Sequence, residues 1–182
     1  AAGEEASFVL EVAHEGRDSV VNEPGYADEA FAQTLAYWRE WMASCTYSGR
    51  WAQAVSRSAL AMKLMTSAPC GSLAAAATFG LPESVKGERN WDYRYAWIRD
   101  GSLTAATLVN IGFHAEAQAF ANWILDRYRE SKDGQLQIMY GIDGRLDLTE
   151  TMLDHLDGYM GSHPVRVGNG AYSQLQLDIY GE

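Results

Sequence analysis

The sequence has 182 residues, of which 47% are hydrophobic and 21% charged, a composition typical of a globular domain and not of a disordered or collagen-like chain. A chain of this length removes about two thirds of its unfolded surface from water, so it can fold without disulfides or a structural metal. Lys and Arg number 14 against 24 Asp and Glu, and the net charge of −10 disfavours a protein that binds the phosphate backbone of nucleic acids.

Three features bear on the compartment. The two cysteines, Cys45 and Cys70, have no CxxC spacing, which favours a reducing compartment. Prolines and glycines interrupt the longest uncharged stretch, residues 64–82, so we expect no membrane span. The chain begins without Met and shows no secretory leader, so we expect a cytoplasmic protein and a chain cut from a longer one.

The first predicted element is a short strand over residues 7–13, which no partner strand follows. Because a lone strand is unstable, we expect it to belong to a sheet domain before residue 1. A helix capped by Asp28 comes next, and a second helical pattern covers residues 51–65.

Residues 69–82 are predicted to form an extended, buried connection, with Cys70 as a small buried side chain. Asp100 or Ser102 can cap the next helix, and a further helix ends before residue 133. Short connections between these helices favour helix pairs in series.

Asp147 and Glu150 have the spacing of a capping box, which predicts another helix with Leu148, Met152 and Leu156 on one face. A glycine-rich loop over residues 158–170 follows. The chain shows no repeat of fixed period, so the elements predict an all-α fold made of helix hairpins in a closed or curved array.

Aromatic and charged side chains are densest in residues 89–100, which include Trp91, Tyr93, Tyr95 and Trp97. Aromatic rings stack on the C–H face of a sugar, and Arg and Asp bond its hydroxyls, so this composition indicates a carbohydrate site. Core packing explains the same rings, with Arg99 pairing with Asp100 to seal a loop, and residue types alone favour that interpretation.

Five carboxylates are candidates for general acid and base: Asp92, Asp100, Glu150, Asp178 and Glu182. A glycosidase needs two that flank the scissile bond, and sequence spacing singles out no pair. The four histidines lack metal-ligand spacing, and phosphate, dinucleotide and serine-hydrolase motifs are missing, so we expect neither a metal nor a cofactor.

Residues 89–100, the run 136–144 and the segment 161–182 resemble glycoside hydrolase family 15, which holds glucoamylases, glucodextranases and trehalases. Shorter matches at residues 47–51 and 57–60 extend the resemblance over nearly the whole chain, and it is to the bacterial and archaeal branch.

The resemblance implies an (α/α)6 toroid that is partial here, with about half of its helices, preceded by a β-sandwich domain. Residues 1–25 would then hold the end of that β-sandwich, as a remnant strand, and a linker. Residues 26–182 would hold a linker helix and the first part of the catalytic domain. Gly101 departs from the family, where Ala or Ser is common at this position.

The resemblance also implies a site. Tyr93, Trp97, Arg99 and Asp100 match the subsite for the non-reducing-end glucose, with Arg99 and Asp100 holding hydroxyls and Trp97 as a wall. The family's catalytic pair is two glutamates that lie beyond Glu182, so no catalytic residue is expected in this chain.

The implied activity is that of an inverting, exo-acting hydrolase that releases glucose from α-glucan oligosaccharides or trehalose, with the remainder of the catalytic domain as its partner. Which of these glucosides is the substrate stays open. The alternative is a non-catalytic, acidic all-α module that binds carbohydrate or protein.

Overall fold

The computed structural model describes residues 3, 6–12, 16, 19, 21 and 23–181. The chain divides into two compact units, Ala1–Cys45 and Thr46–Glu182. In the first unit, helix α1 spans Tyr26–Met42 and begins after Gly25, whose φ of 84° is left-handed. Asp28, the predicted cap, lies in the first turn instead, where a carboxylate favours the positive end of the helix dipole.

The strand predicted over residues 7–13 is not confirmed. Residues 7–12 are not in a strand, and Ala13 lies outside the described residues. The side chains of Phe8 and Leu10 are 94% and 99% exposed, so neither packs against a sheet. A strand needs a neighbour to receive its backbone hydrogen bonds, and the described part of this unit supplies none.

The regular secondary structure of the second unit is mostly helical, with little strand. Its helices are α2 (Ala52–Leu64), α3 (Ile98–Asn110) and α4 (His114–Glu130), and its strands are β1 (Ala96–Trp97), β2 (Met139–Tyr140), β3 (Thr151–Met152) and β4 (Arg166–Val167). Short 3₁₀ turns cover Tyr159–Gly161, Gly170–Ser173 and Leu177–Tyr180. The predicted helical character is confirmed, whereas the partial (α/α)6 toroid stays a prediction.

Each strand pairs with one partner in an antiparallel sense. In the first pair Ala96 lies opposite Tyr140, and in the second Thr151 lies opposite Val167. These pairs join segments that are distant in sequence, and each contributes only two residues per strand. They therefore connect helical and loop segments by a few backbone hydrogen bonds and do not form a sheet layer of the fold.

The core lies between α3, α4 and the β1–β2 pair. Trp123 stacks on Phe120 with 5.9 Å between ring centroids and meets the edge of Tyr140 at 5.6 Å. Ile98 and Met139 are buried in the same cluster. Because β1 runs directly into α3, this cluster fixes the backbone of the segment predicted to bind sugar.

The connection predicted over residues 69–82 is extended where it meets that segment. The amides of Ala75 and Ala76 donate to the carbonyls of Tyr95 and Tyr93, at 2.9 and 3.0 Å. The prediction for Cys70 is wrong, because this residue is exposed. It lies in the turn closed by the bond from the Gly71 amide to the Ser67 carbonyl, before the chain enters the core.

The predicted start of α3 is also wrong, because the helix begins at Ile98 and includes both Asp100 and Ser102. The amide of Ile98 donates to the carbonyl of Ile138 at 3.0 Å. A backbone carbonyl beside β2 thus satisfies the first helical N–H, and the residue before the helix makes no side-chain capping bond.

The helix predicted from the capping box is not formed. Thr151–Met152 is strand β3, and the Asp147 carboxylate accepts from the amide and hydroxyl of Thr149 at 3.0 and 2.6 Å, which makes a turn. Asp and Thr stabilise such turns as readily as helix caps, so the local pattern did not distinguish them.

Asp92 is fully buried and ionised at the centre of a hydrogen-bond network. Its two oxygens accept from Nε and Nη2 of Arg94, both at 2.8 Å. The same carboxylate accepts from the Tyr95 hydroxyl at 3.1 Å and from the Gly168 amide at 3.2 Å. Burial raises the pKa of Asp92, but the hydrogen bonds and charge of Arg94 and the Tyr95 hydroxyl lower it more, so it lies below its ordinary 3.8.

The space beside Gly101 supports a first prediction. A Cβ added at Gly101 would overlap the ring of Phe120, which is itself buried. Overpacking costs about 1–3 kcal/mol, which exceeds the roughly 1 kcal/mol that Ala gains over Gly in a helix. We expect Gly101→Ala to lower the free energy of unfolding by about 1 kcal/mol in urea denaturation. Gly170→Ala, which introduces a Cβ into open space, is the control and should change it little. A more stable Gly101→Ala would contradict the packing.

The Asp92 network supports a second prediction. A carboxyl whose pKa is lowered by folding stabilises the fold above its ordinary pKa, and this contribution is lost as the pH falls through the folded value. We expect Asp92→Asn to cost about 2 kcal/mol at pH 7, where a buried charge pair is broken. The difference from the wild type should shrink below pH 3.8.

Urea denaturation at several pH values measures this difference. Asp126→Asn is the matched control, since Asp126 is exposed and pairs with Arg129 on the surface of α4 at 3.0 Å. An exposed pair contributes less than about 1 kcal/mol. Equal effects of the two substitutions at pH 7 would show that the Asp92 network does not hold the fold together.

Candidate carbohydrate site

The four predicted site residues lie on one continuous stretch. Tyr93 precedes β1, Trp97 is its second residue, and Arg99 and Asp100 occupy the first turn of α3. Their backbone is held on one side by the extended connection at residues 75–78 and on the other by β2. The site therefore adjoins the buried core of the second unit.

Tyr93 and Trp97 line the same cleft, which has a volume of about 420 Å³. Its other lining residues are Trp91, Glu150, Asn169, Gly170, Ala171 and Gln174. Three aromatic rings thus face the same space as two amides and one carboxylate. This combination can stack on a sugar ring and bond its hydroxyls.

Arg99 lies beside this cleft and has four neighbours. Its guanidinium carbon is 5.6 Å from the centroid of the Trp97 ring. Nη1 donates to Asp178 at 3.1 Å and to Gln176 at 3.4 Å, and Nη2 donates to Asp100 at 3.2 Å. The hydrogen bond to Asp178, with the nearby charge of Asp100, raises the pKa of Arg99 against the opposing effect of burial.

A chain of side chains links Arg99 to the cleft. Gln176, which accepts from Arg99, donates through Nε2 to the side-chain oxygen of Gln174 at 3.1 Å, and Gln174 lines the cleft. The position of the guanidinium is therefore coupled to the polar side of the cleft as well as to its aromatic wall.

Asp100 faces a different hollow. It lines a space of about 400 Å³ together with Met62 of α2, Met65 directly after α2, and Leu103 and Thr104 of α3. The structure thus brings Tyr93 and Trp97 into one cleft and places Asp100 in a neighbouring one. Arg99 contacts both, through the Trp97 ring and the Asp100 carboxylate.

Burial affects Tyr93 as well. It raises the pKa of the Tyr93 phenol, and the charge of Glu83 adds to the effect. The hydroxyl of Tyr93 is therefore a neutral hydrogen-bonding group at neutral pH, suited to a sugar hydroxyl.

Of the five candidate acid and base carboxylates, Asp92 is buried in its network, and Asp178 and Asp100 pair with Arg99. Glu182 lies outside the described residues. Glu150 lines the aromatic cleft and pairs with Arg166 at 3.3 Å. The arrangement of these groups suits recognition of a sugar, and among the described residues Glu150 supplies the one carboxylate that lines the cleft.

Sequence reasoning did not single out Asn169 and Gln174, which also line the cleft. Glu150 was one of the candidate acid and base carboxylates, but its capping-box spacing favoured a structural role. Asn169 and Gln174 fall within the segment 161–182, whose similarity to family 15 was a signal that these residues could share a site with residues 89–100.

Two classes of site are not found among the residues that the structure describes. These residues include no cluster of three or more His, Cys, Asp or Glu that could hold a metal ion. In the same part of the chain, no helix combines the length and apolar character needed to cross a bilayer.

Comparison with known proteins gives a consistent result. A trehalase of Thermoplasma acidophilum is 46% identical over 149 residues, covering 82% of this chain and 25% of that protein. A trehalase of Mycobacterium tuberculosis is 45% identical over 152 residues, covering 82% of this chain and 22% of that protein. Trehalase 1 of Sulfolobus acidocaldarius is 38% identical over 155 residues, covering 85% of this chain and 26% of that protein.

The chain thus spans about a quarter of the length of these relatives. No solved structure matches it significantly. The sequence profile of Glycosyl hydrolases family 15 matches residues 49–182, which include both clefts and every residue of the predicted site. This chain is a member of glycosyl hydrolases family 15.

Proposed function

We propose that this chain forms the first part of the catalytic domain of an inverting, exo-acting glycoside hydrolase that releases glucose from trehalose. The aromatic cleft carries the proposal, because Tyr93 and Trp97 line it together with amide and carboxylate groups. Trehalose is favoured over maltooligosaccharides because relatives at 38–46% identity are trehalases.

In the proposed complex the terminal glucose stacks on Trp97, and Tyr93 bonds one of its hydroxyls. Arg99 and Asp100 hold further hydroxyls at the mouth of the second hollow. The Arg99 guanidinium, positioned by Asp178 at 3.1 Å, is oriented before the sugar arrives, which lowers the entropic cost of binding.

The acid and the base that transfer protons are proposed to lie on the remainder of the catalytic domain, which is also the partner of this chain. An inverting hydrolase places two carboxyl groups about 6.5–9.5 Å apart with a water between them. In the part of the chain that the structure describes, Glu150 is the one carboxylate lining the aromatic cleft, so this cleft would bind the sugar while another segment supplies the chemistry.

The test is proton NMR of the full-length protein that carries this chain, incubated with α,α-trehalose and, separately, with maltotriose. Inversion at one anomeric carbon of trehalose releases one β-glucose and one α-glucose, so fresh β-glucose should appear at once. Retention, with no early β-glucose, would contradict the mechanism. Sugar binding without hydrolysis would favour the non-catalytic module. If maltotriose is hydrolysed faster than trehalose, maltooligosaccharides and not trehalose are the substrate class.

The roles of the site residues give a third prediction. Asp100→Ala in the same protein should lower kcat/KM about tenfold or more, because a hydrogen bond from a sugar hydroxyl to a charged group is lost. Asp126→Ala, on the exposed surface of α4, is the matched control. Steady-state kinetics measures both variants, and an equal loss of kcat/KM in the two would show that Asp100 does not bind the sugar.

A further inference from the structure

We propose that Glu150 is a substrate-binding residue whose carboxylate accepts a hydrogen bond from a sugar hydroxyl in the aromatic cleft, in an orientation fixed by Arg166. This inference rests on the proposed function, since it assigns a new ligand of the sugar in the same site.

The strand register brings Glu150 to the cleft. Thr151 pairs with Val167, so Glu150, one residue earlier, stands diagonally across from Arg166 on the neighbouring strand. Diagonal neighbours in an antiparallel pair are within reach of long side chains. The side chain of Glu150 is 26% exposed and lines the cleft, so a ligand there can reach the carboxylate.

Arg166 positions the Glu150 carboxylate through an ion pair. Its Nη1 lies 3.3 Å from Glu150 Oε1, and its side chain is only 9% exposed. The guanidinium carbon is also 4.7 Å from the centroid of the Trp91 ring, which forms part of the cleft wall. Arg166 is therefore fixed by an aromatic face on one side and by Glu150 on the other.

This arrangement leaves one oxygen of Glu150 for a ligand. Among the described residues, the ion pair with Arg166 through Oε1 is the sole polar contact of the carboxylate. An ionised carboxylate has about four acceptor sites, so Oε2 can accept from a hydroxyl without breaking the pair. A charge-assisted bond formed in a half-enclosed cleft is stronger than a neutral one.

A purely structural role is the competing explanation, in which Glu150 and Arg166 only join β3 to β4. The two roles differ in one observable. A structural pair affects every substrate equally, whereas a hydroxyl ligand affects only substrates that carry that hydroxyl.

The experiment compares the wild type and Glu150→Gln of the full-length protein by steady-state kinetics. The substrates are the α-glucoside that the wild type hydrolyses and a set of its analogues, each lacking one hydroxyl of the terminal glucose. We expect Glu150→Gln to lower kcat/KM about tenfold for the parent sugar. For the analogue without the contacted hydroxyl, the wild type and the variant should be equal. Glu130→Gln, which alters an Arg–Glu pair at the end of α4, is the control.

A uniform loss across all analogues, or no loss at all, overturns the role of Glu150 while leaving the proposed function intact. A wild type that hydrolyses no α-glucoside overturns the proposed function and this inference with it. If thermal unfolding shows that Glu150→Gln is misfolded, the same analogues are measured with Glu150→Asp, which keeps the charge. Because its side chain is shorter, Glu150→Asp should lower kcat/KM for the parent sugar and leave kcat/KM unchanged for the same single analogue. A uniform loss of kcat/KM across all analogues again overturns the role.

Discussion

The buried carboxylate of Asp92 connects two parts of the chain that are 76 residues apart, because it accepts from the Gly168 amide as well as from Arg94. The side-chain amide of Asn169 adds a bond of 3.0 Å to the Asp92 carbonyl. A buried charge is tolerated only when its lone pairs are satisfied. Segment 91–95 therefore keeps its conformation only while segment 168–169 is in place, and the two walls of the aromatic cleft form together.

The same constraint determines which polar side chains of the cleft can bond a ligand. Asn169 uses its side chain on Asp92 and on the Ala171 amide, so it shapes the cleft more than it offers hydrogen bonds to a ligand. The polar groups that remain for a sugar come from Glu150 and Gln174, each steadied by a neighbouring side chain. Sugar recognition in this cleft thus depends on Arg166 and Gln176, which hold these two lining side chains in position.

Periodicity predicted the helical character, which the structure confirms, whereas the carbohydrate site in residues 89–100 followed from the resemblance to family 15 and stays a prediction. What neither could predict depends on contacts between distant residues. The start of α3 is set by the Ile138 carbonyl rather than by Asp100. Glu150 directly precedes β3, which pairs with residues 166–167, and a capping-box pattern within four residues cannot reveal that pairing.

The site residues divide in the same way. Tyr93 and Trp97 could be placed together from the sequence, because alternate residues of an extended segment point to one side. Asp100 could not, because the chain turns into a helix at Ile98 and carries it to the neighbouring hollow. The change from strand to helix within four residues separates side chains that are adjacent in sequence.

The separation in sequence of the cleft walls also determines the order in which the second unit can fold. Helices α3 and α4 are joined by three residues and pack through nearby contacts, which form early. The bond from Gly168 to Asp92 closes a loop of 76 residues, which costs about 4 kcal/mol of entropy when no contact has yet formed inside the loop. The helix pair is therefore expected to form first as a nucleus, and the sugar cleft last, in the slowest step of folding.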